Sequence, residues 1–302
     1  MDVLKSYARD NLIVIAGSAS SKLAAKVAKQ LKCPFVKPEL KHPPHGETYV
    51  RIGAKLKGAH AIVVQSTSYP QNDNLMELFF LLGAAKDSGA RRVTAVVPYL
   101  AYARQSKRYE PGEAISAQTI CKLIGREADE LFVVDIHDVE IMKNFLIPAR
   151  DLSAVPLLGQ YFSSLNLKRP LILGPDQKAF ESARRAAVEL GAESDYLTKK
   201  RITPTKVITQ TKSLDVARRD VVIIDDIIST GGTIVEATKS LNQCRARRIY
   251  VACTHAVLVG NALQKITAAG VTKVIATDTI NTPVSVVSVA PVIAEAIRKC
   301  GG

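Results

Sequence analysis

The stretch VVIIDDIISTGGT, Val221 to Thr233, sets the reading of the whole chain. An apolar run delivers two adjacent carboxylates, Asp225 and Asp226, and a turn of Ser, Thr and Gly then opens a helical segment. Unbroken apolar strands of this kind are covered on both faces, as in the parallel sheets of α/β proteins. The turn has no bulky Cβ at Gly231 and Gly232, so its backbone N–H groups can wrap a phosphate. The helix amino terminus adds its dipole, and Ser229, Thr230 and Thr233 offer hydroxyls. The two carboxylates are placed to hold a sugar diol. A plainer reading is a strand-to-helix turn in which Asp226 only caps. Two neighbouring carboxylates at the end of an apolar strand are costly unless they bind something.

The same rhythm extends outward in both directions. Upstream come the strand-like runs Leu12 to Ala16, Ala61 to Gln65, Val93 to Pro98 and Glu130 to His137. Helix-like stretches follow the first three, from about Ser20 to Leu31, Asn74 to Ser88 and Ala114 to Gly125. A second set holds Leu171 to Asp176, Val221 to Asp226, Arg248 to His255 and Lys273 to Asp278, with helices around Ala179 to Leu190 and Ile234 to Gln243. Two such sets predict duplicated α/β domains, each a mainly parallel sheet flanked by helices, over 1–148 and 149–302. They are joined near Ile147 to Ala154, and the last helix is a candidate to pack on the first domain. Ligands in this architecture bind beyond the carboxyl ends of the strands. That rule selects His137, Asp176, Asp225, Asp226, His255 and Asp278.

Composition limits the function classes. The chain has 302 residues, enough for about two domains at roughly 150 residues each. No apolar run approaches the ~20 residues that span a bilayer, and MDVLKSYARDN lacks a signal-peptide pattern. The five cysteines are odd in number and scattered, without zinc-ligand spacing, so reduced thiols in a cytoplasm are expected. A net charge of +13 suits either nucleic acid or small polyanionic substrates. With no Trp and no helix-turn-helix or RNP-like pattern, nucleic acid is not the expected partner.

The strand, acidic pair and Thr-Gly-Gly-Thr loop resemble the fingerprint of the phosphoribosyltransferase superfamily. Three further segments resemble one branch of it, the ribose-phosphate pyrophosphokinases, in their shorter archaeal-type form. PYLAYARQSKRYEPGEAIS, Pro98 to Ser116, is similar to the stretch whose Arg-Gln pair contacts ATP in that family, which implies Arg104 and Gln105. VVDIHDVEI, Val133 to Ile141, and LILGPD imply His137 and Asp176 as holders of the Mg²⁺ of MgATP, with Asp135 and Asp138 expected to orient the ring or waters. LTKKRITPTKV, Leu197 to Val207, resembles the family's catalytic loop and implies Lys199 and Arg201 as the cations over the transferring phosphates. The resemblance spans nearly the whole chain. It implies diphosphate transfer from ATP to ribose 5-phosphate in a homo-oligomer, with Mg²⁺ as cofactor. Arg201, Asp225, Asp226, Ser229, Thr230, Gly231, Gly232 and Thr233 are implied to hold the sugar phosphate.

The chain also departs from the pattern. The family's F-x-D-G-E segment reads Pro43, Pro44, His45, Gly46, Glu47 here. His45, Gly46 and Glu47 are still implied at the nucleotide, with Glu47 lent to a neighbouring subunit's site. The usual aromatic is Pro43 and the usual Asp is His45, which leaves base selectivity open. QKAFESARR, Gln177 to Arg185, stands where relatives are glycine-rich, and Ser229 where many carry Asp. A phosphoribosyltransferase and a non-catalytic regulatory subunit of a synthetase remain the competing readings at this point.

Overall fold

The structure, a computed structural model, describes residues 11–203, 206–210 and 215–300, with the backbone alone along 199–203 and 206–210. The chain divides into two compact units: Met1–Leu152 with Thr279–Asn281 and Val289–Gly302, and Ser153–Asp278 with Thr282–Ser288. The first unit contains β1 (Leu12–Ala16), α1 (Ser21–Leu31), β2 (Phe35–Val36), β3 (Glu39–Lys41), β4 (Tyr49–Arg51) and β5 (His60–Val64). It continues with α2 (Gln71–Asp87), β6 (Arg92–Val97), α3 (Ser116–Glu127), β7 (Glu130–Val134) and β8 (Ala149–Leu152). The second unit contains α4 (Val155–Ser163), β9 (Leu171–Gly174), α5 (Phe180–Leu190), β10 (Glu193–Tyr196), and the pair β11 (Thr198–Thr203) and β12 (Lys206–Gln210). Then come β13 (Asp220–Ile228), α6 (Gly232–Gln243), β14 (Arg248–Ala256), α7 (Ala262–Ala268), β15 (Lys273–Thr277) and β16 (Ser285–Val287). The final helix, α8 (Ala290–Cys300), returns to the first unit, where it packs on α1.

Each unit is built on a parallel sheet of the same strand order. The first runs β2-β1-β5-β6-β7-β8 and the second β10-β9-β13-β14-β15-β16. Every residue of β5 and β7 is buried, as are the first five of β13, because helices cover both faces. Helices supply the matching apolar stripes: α1 buries Leu23, Ala24, Val27 and Ala28 and turns its lysines outward. In the second unit, Ile223 and Val251 meet Ile234 and Leu241 on one face, while Ile172 and Ile224 meet Leu158 and Phe162 on the other. Among the described residues, no helix is long and apolar enough to cross a membrane.

Three local features differ from the sequence reading. Strand β13 does not stop at Asp226 but continues to Ile228, because β14 keeps pairing with it through Ile227↔His255 and Ile228↔Ala256. The helix after it starts at Gly232 rather than Ile234, since Gly231 makes the turn with φ +77 and leaves its successor free to be helical. The segment His42 to Ile52, to which the sequence reading assigned no secondary structure, is the tip and second arm of the antiparallel pair β3–β4, registered Glu39↔Arg51 and Lys41↔Tyr49.

Candidate active site

In both six-stranded sheets the chain order reverses between the sheet's first and third strands along the chain, and the crevice at such a switch point is the usual ligand site. In the second unit that crevice lies between β9 and β13. These two strands pair only over Val221↔Leu171, Val222↔Ile172 and Ile223↔Leu173. Beyond Gly174 the chain turns away through Pro175 and Asp176 into α5, so Asp225 and Asp226 stand on β13 where the neighbouring strand has ended. The Asp225 Oδ1 accepts from the Asp226 N–H at 3.0 Å, and the Asp226 Oδ1 from the Ile227 N–H at 2.7 Å. Asp176 accepts from the Lys178 and Ala179 N–H groups at 3.0 and 3.3 Å and so tethers the entry to α5.

The electrostatics of β13 are polarised. At its amino end Asp220 is fully buried, and burial alone would raise its pKa. Arg248, the Lys168 N–H and Arg247 outweigh that penalty and lower it. At the carboxyl end the Asp225 pKa is raised to about 8, first by burial, then by the charge of Asp226, with Asp176 adding to it. Asp225 is crowded by neighbouring carboxylates where Asp220 is paired with arginines, and a cation or a set of hydroxyl donors would relieve that crowding.

The turn after β13 completes this edge. Ser229 is half-buried, while Thr230, Gly232 and Thr233 are exposed. No side chain caps α6, so its first N–H groups face the turn unsatisfied by the helix itself. A Cβ on Gly231 would come within 2.9 Å of Ile266 Cδ1, so α7 packs tightly behind the turn. Backbone bonds from Leu258 N–H to Ile228 O and from Val259 N–H to Ser229 O, at 3.0 and 3.1 Å, brace it from the side. Thus Asp176, Asp225, Asp226 and Ser229 to Thr233 converge on one edge of the second unit. Lys199 and Arg201 lie on β11, opposite Thr209 and Val207, and their side chains fall outside the described residues.

The nucleotide candidates fall in the first unit. Arg104 is exposed on a turn after β6, and Gln105 is half-buried, its N–H bonded to Tyr102 O at 3.0 Å. His137 is exposed just past β7. Asp138 joins the two segments: its Oδ2 accepts from Ser106 Oγ at 2.6 Å and its Oδ1 from the Glu140 N–H at 3.1 Å. The Ser106 bond is the largest cause of the lowered Asp138 pKa. Asp138 therefore positions the loop beside His137. His45, Gly46 and Glu47 form the β3–β4 tip, with His45 Nε2 and Glu47 Oε2 3.5 Å apart and both exposed. Gly46, Glu47 and Thr48 border a cavity of about 470 Å³ whose other wall is Asn72, Asp73, Met76 and Phe80 of α2. The Tyr102 hydroxyl donates to Asn72, so the Arg104 turn reaches the same helix.

Residues 12–127 match the profile described as the N-terminal domain of ribose phosphate pyrophosphokinase, and residues 147–289 match the phosphoribosyl transferase domain. The chain belongs to the ribose-phosphate pyrophosphokinase family. It is 46% identical over 287 residues to the ribose-phosphate pyrophosphokinase of Methanothermobacter thermautotrophicus, covering 95% of this chain and 100% of that one. The Pyrococcus furiosus family member is 39% identical, with 92% and 98% covered. The crystal structure of phosphoribosylpyrophosphate synthetase from Mycobacterium smegmatis superposes with a TM-score of 0.85 at 31% identity, covering 96% of this chain and 99% of that one. The fold of two phosphoribosyltransferase-like domains read from the sequence is the one that these matches support.

Sequence reasoning missed Ser106 and gave Asp138 a different task. It also passed over Thr67 and Asn74. Ser106 and Thr67 each make their important bond to a group 32 residues away along the chain, and spacing carries no signal for such pairs.

Proposed function

We propose that the chain transfers the β,γ-diphosphate of ATP to the 1-hydroxyl of ribose 5-phosphate, giving phosphoribosyl diphosphate and AMP. The observation that carries this reading is the crevice edge of the second unit. Crowded carboxylates stand beside an uncapped helix amino terminus there, an arrangement suited to a sugar diol and its phosphate together. Asp225 and Asp226 accept from ribose hydroxyls, and the turn from Ser229 to Thr233 donates to the 5-phosphate. Arg104, Gln105, Glu47 and His137 hold the nucleotide, Arg104 through a guanidinium fork suited to phosphate oxygens. Lys199 and Arg201 neutralise charge on the transferred group. Phosphoryl transfer depends on alignment and charge neutralisation more than on covalent chemistry, so no side-chain base is invoked.

His137 in the first unit and Asp176 in the second are each a residue that would hold Mg²⁺. Asp176, Asp225 and Asp226 form an oxygen-rich edge whose crowding raises the Asp225 pKa, and such a donor set fits a hard cation. When bound, the ion offsets negative charge on the phosphate oxygens. Among the described residues no three His, Cys, Asp or Glu side chains form a metal-holding group. The scattered thiols fit a cytoplasmic enzyme.

The decisive assay is AMP formation from ATP with and without ribose 5-phosphate. AMP is expected only with the sugar, together with an equal amount of phosphoribosyl diphosphate; AMP formed at the same rate without the sugar overturns the reading. We propose further that the enzyme is a homo-oligomer in which Glu47 completes a neighbour's site. Glu47→Ala and Lys199→Ala chains, inactive alone, should regain partial activity when mixed. No recovery despite subunit exchange places Glu47 outside a shared site. With Pro43 in place of an aromatic platform, ATP should be preferred over GTP by less than the ~1 to 3 kcal/mol of a stacking contact.

A further inference from the structure

The turn that presents Arg104 has little secondary structure of its own, yet its path is fixed by one buried hydroxyl. Thr67 follows β5 and is fully buried. Its N–H donates to Tyr99 O at 2.9 Å, its Oγ1 donates to the same carbonyl at 3.0 Å, and that Oγ1 accepts from the Ala101 N–H at 2.7 Å. One hydroxyl therefore serves as both donor and acceptor and grips the backbone on either side of Leu100. From Ala101 onward the segment alternates: Ala101 and Ala103 are buried, Tyr102 and Arg104 exposed. Tyr102 has φ +65, its hydroxyl donates to Asn72, and its carbonyl accepts from the Gln105 N–H at 3.0 Å. The grip lies three residues before Arg104, so a shift there moves Arg104 and Gln105 together.

Thr67 is itself held from both sides. The Ser66 N–H donates to Ser20 Oγ at 2.8 Å, and Ser68 O accepts from Asn74 Nδ2 at 2.8 Å. Asn74 Oδ1 in turn accepts from Gln65 Nε2 at 3.2 Å, and Gln65 Nε2 also donates to Glu77 Oε1 at 3.0 Å. Such fully paired buried networks are rigid, because breaking any bond leaves a desolvated polar group. We propose that Thr67 is a positioning residue for the nucleotide: its hydroxyl sets the register of the Tyr99–Gln105 turn and thereby the affinity for ATP. The inference rests on the reading of Arg104 and Gln105 as nucleotide contacts.

The test compares Thr67→Val, which keeps the shape and removes the hydroxyl, with Thr67→Ser, which keeps the hydroxyl, and with Arg104→Ala. For Thr67→Val the KM for ATP should rise by about tenfold or more, the range a lost buried hydrogen bond spans, while the KM for ribose 5-phosphate changes by less than about twofold. Thr67→Ser should restore the ATP KM. In an Arg104→Ala background, Thr67→Val should add little further loss. Equal rises in both KM values, or a fall in melting temperature with ATP binding intact, would mean a purely structural role and overturn the proposal. A Thr67→Val chain that unfolds, with Thr67→Ala folding and binding ATP normally, overturns it as well. Arg104→Ala without effect on ATP overturns the nucleotide assignment and this inference with it. Arg104→Ala effective and Thr67→Val silent overturns the inference alone.

Discussion

Two crevices occupy corresponding places in the two sheets, between β1 and β5 in the first unit and between β9 and β13 in the second. In the first, the polar groups satisfy one another. Glu77, buried on α2, accepts from the Ser18 N–H and Ser18 Oγ, each at 2.6 Å, and from Gln65 Nε2 at 3.0 Å. Gln65 Oε1 accepts from the Ala19 N–H at 3.1 Å and fills the space beside Gly17, where a Cβ would stand only 2.3 Å from that oxygen. In the second crevice three carboxylates gather, and Asp225 is pushed to a pKa of about 8 by burial and by its neighbours. One fold thus holds a closed network that stabilises the chain and a carboxylate-crowded edge that a ligand would stabilise. Duplicated units can divide these tasks because topology supplies a crevice, while local residues decide whether it is filled.

Substitutions should separate the two. The largest effect is expected on the hairpin of the second unit. Lys199→Ala should lower kcat by roughly 10³ to 10⁵, the range for losing a transition-state cation. Steady-state rates check this, and a variant that keeps a tenth of the activity removes Lys199 from the mechanism. In the first unit, Glu77→Ala strips the acceptor from three hydrogen bonds to Ser18 and Gln65. It should cost ~2 to 5 kcal/mol of stability by denaturant unfolding, with the KM for ribose 5-phosphate unchanged in chains that fold. A stable Glu77→Ala chain that had lost sugar affinity would dissolve the contrast.

Asp225→Asn should do the reverse. Ribose 5-phosphate binding is expected to weaken by ~1 to 3 kcal/mol, seen by calorimetry, with ATP binding little changed. Its stability effect is smaller and of opposite sign. The folded chain holds the Asp225 proton more tightly than the unfolded chain, so it binds more protons between the ordinary value of 3.8 and about 8. Stability falls as pH rises through that window. Without metal or substrate, Asp225→Asn should therefore melt a few degrees higher than wild type at pH 8 or above, roughly 2 to 4 °C per kcal/mol, and match it near pH 4. A wild-type melting temperature that rose with pH as steeply as the variant's would show that Asp225 is not crowded.

Much of this was legible in the sequence. The unbroken apolar runs at Leu12 to Ala16 and Val221 to Ile224 could only be covered strands, and alternation with helices fixed a parallel sheet in each half. Asp225, Asp226 and the Gly231–Gly232 turn were adjacent in sequence, so their chemistry could be read without coordinates. The resemblance, rather than spacing, pointed to Arg104, His137 and Lys199. Other features were invisible. Nothing near Asp138 marks Ser106, 32 residues away, as its partner. Nothing near Thr67 marks Tyr99 and Ala101, and nothing near Gln65 says that it fills its crevice whereas Asp225 is crowded by carboxylates in its own.

The sequence by itself determined the central strands and main helices of both units, and which short stretch is proposed to carry the sugar-phosphate chemistry, because periodicity and adjacent polar groups are local properties. The tertiary structure decided which crevice is closed and which residue holds the Arg104 turn. Burial and hydrogen-bond pairing depend on groups that only the folded sheet brings within 3 Å or so of one another.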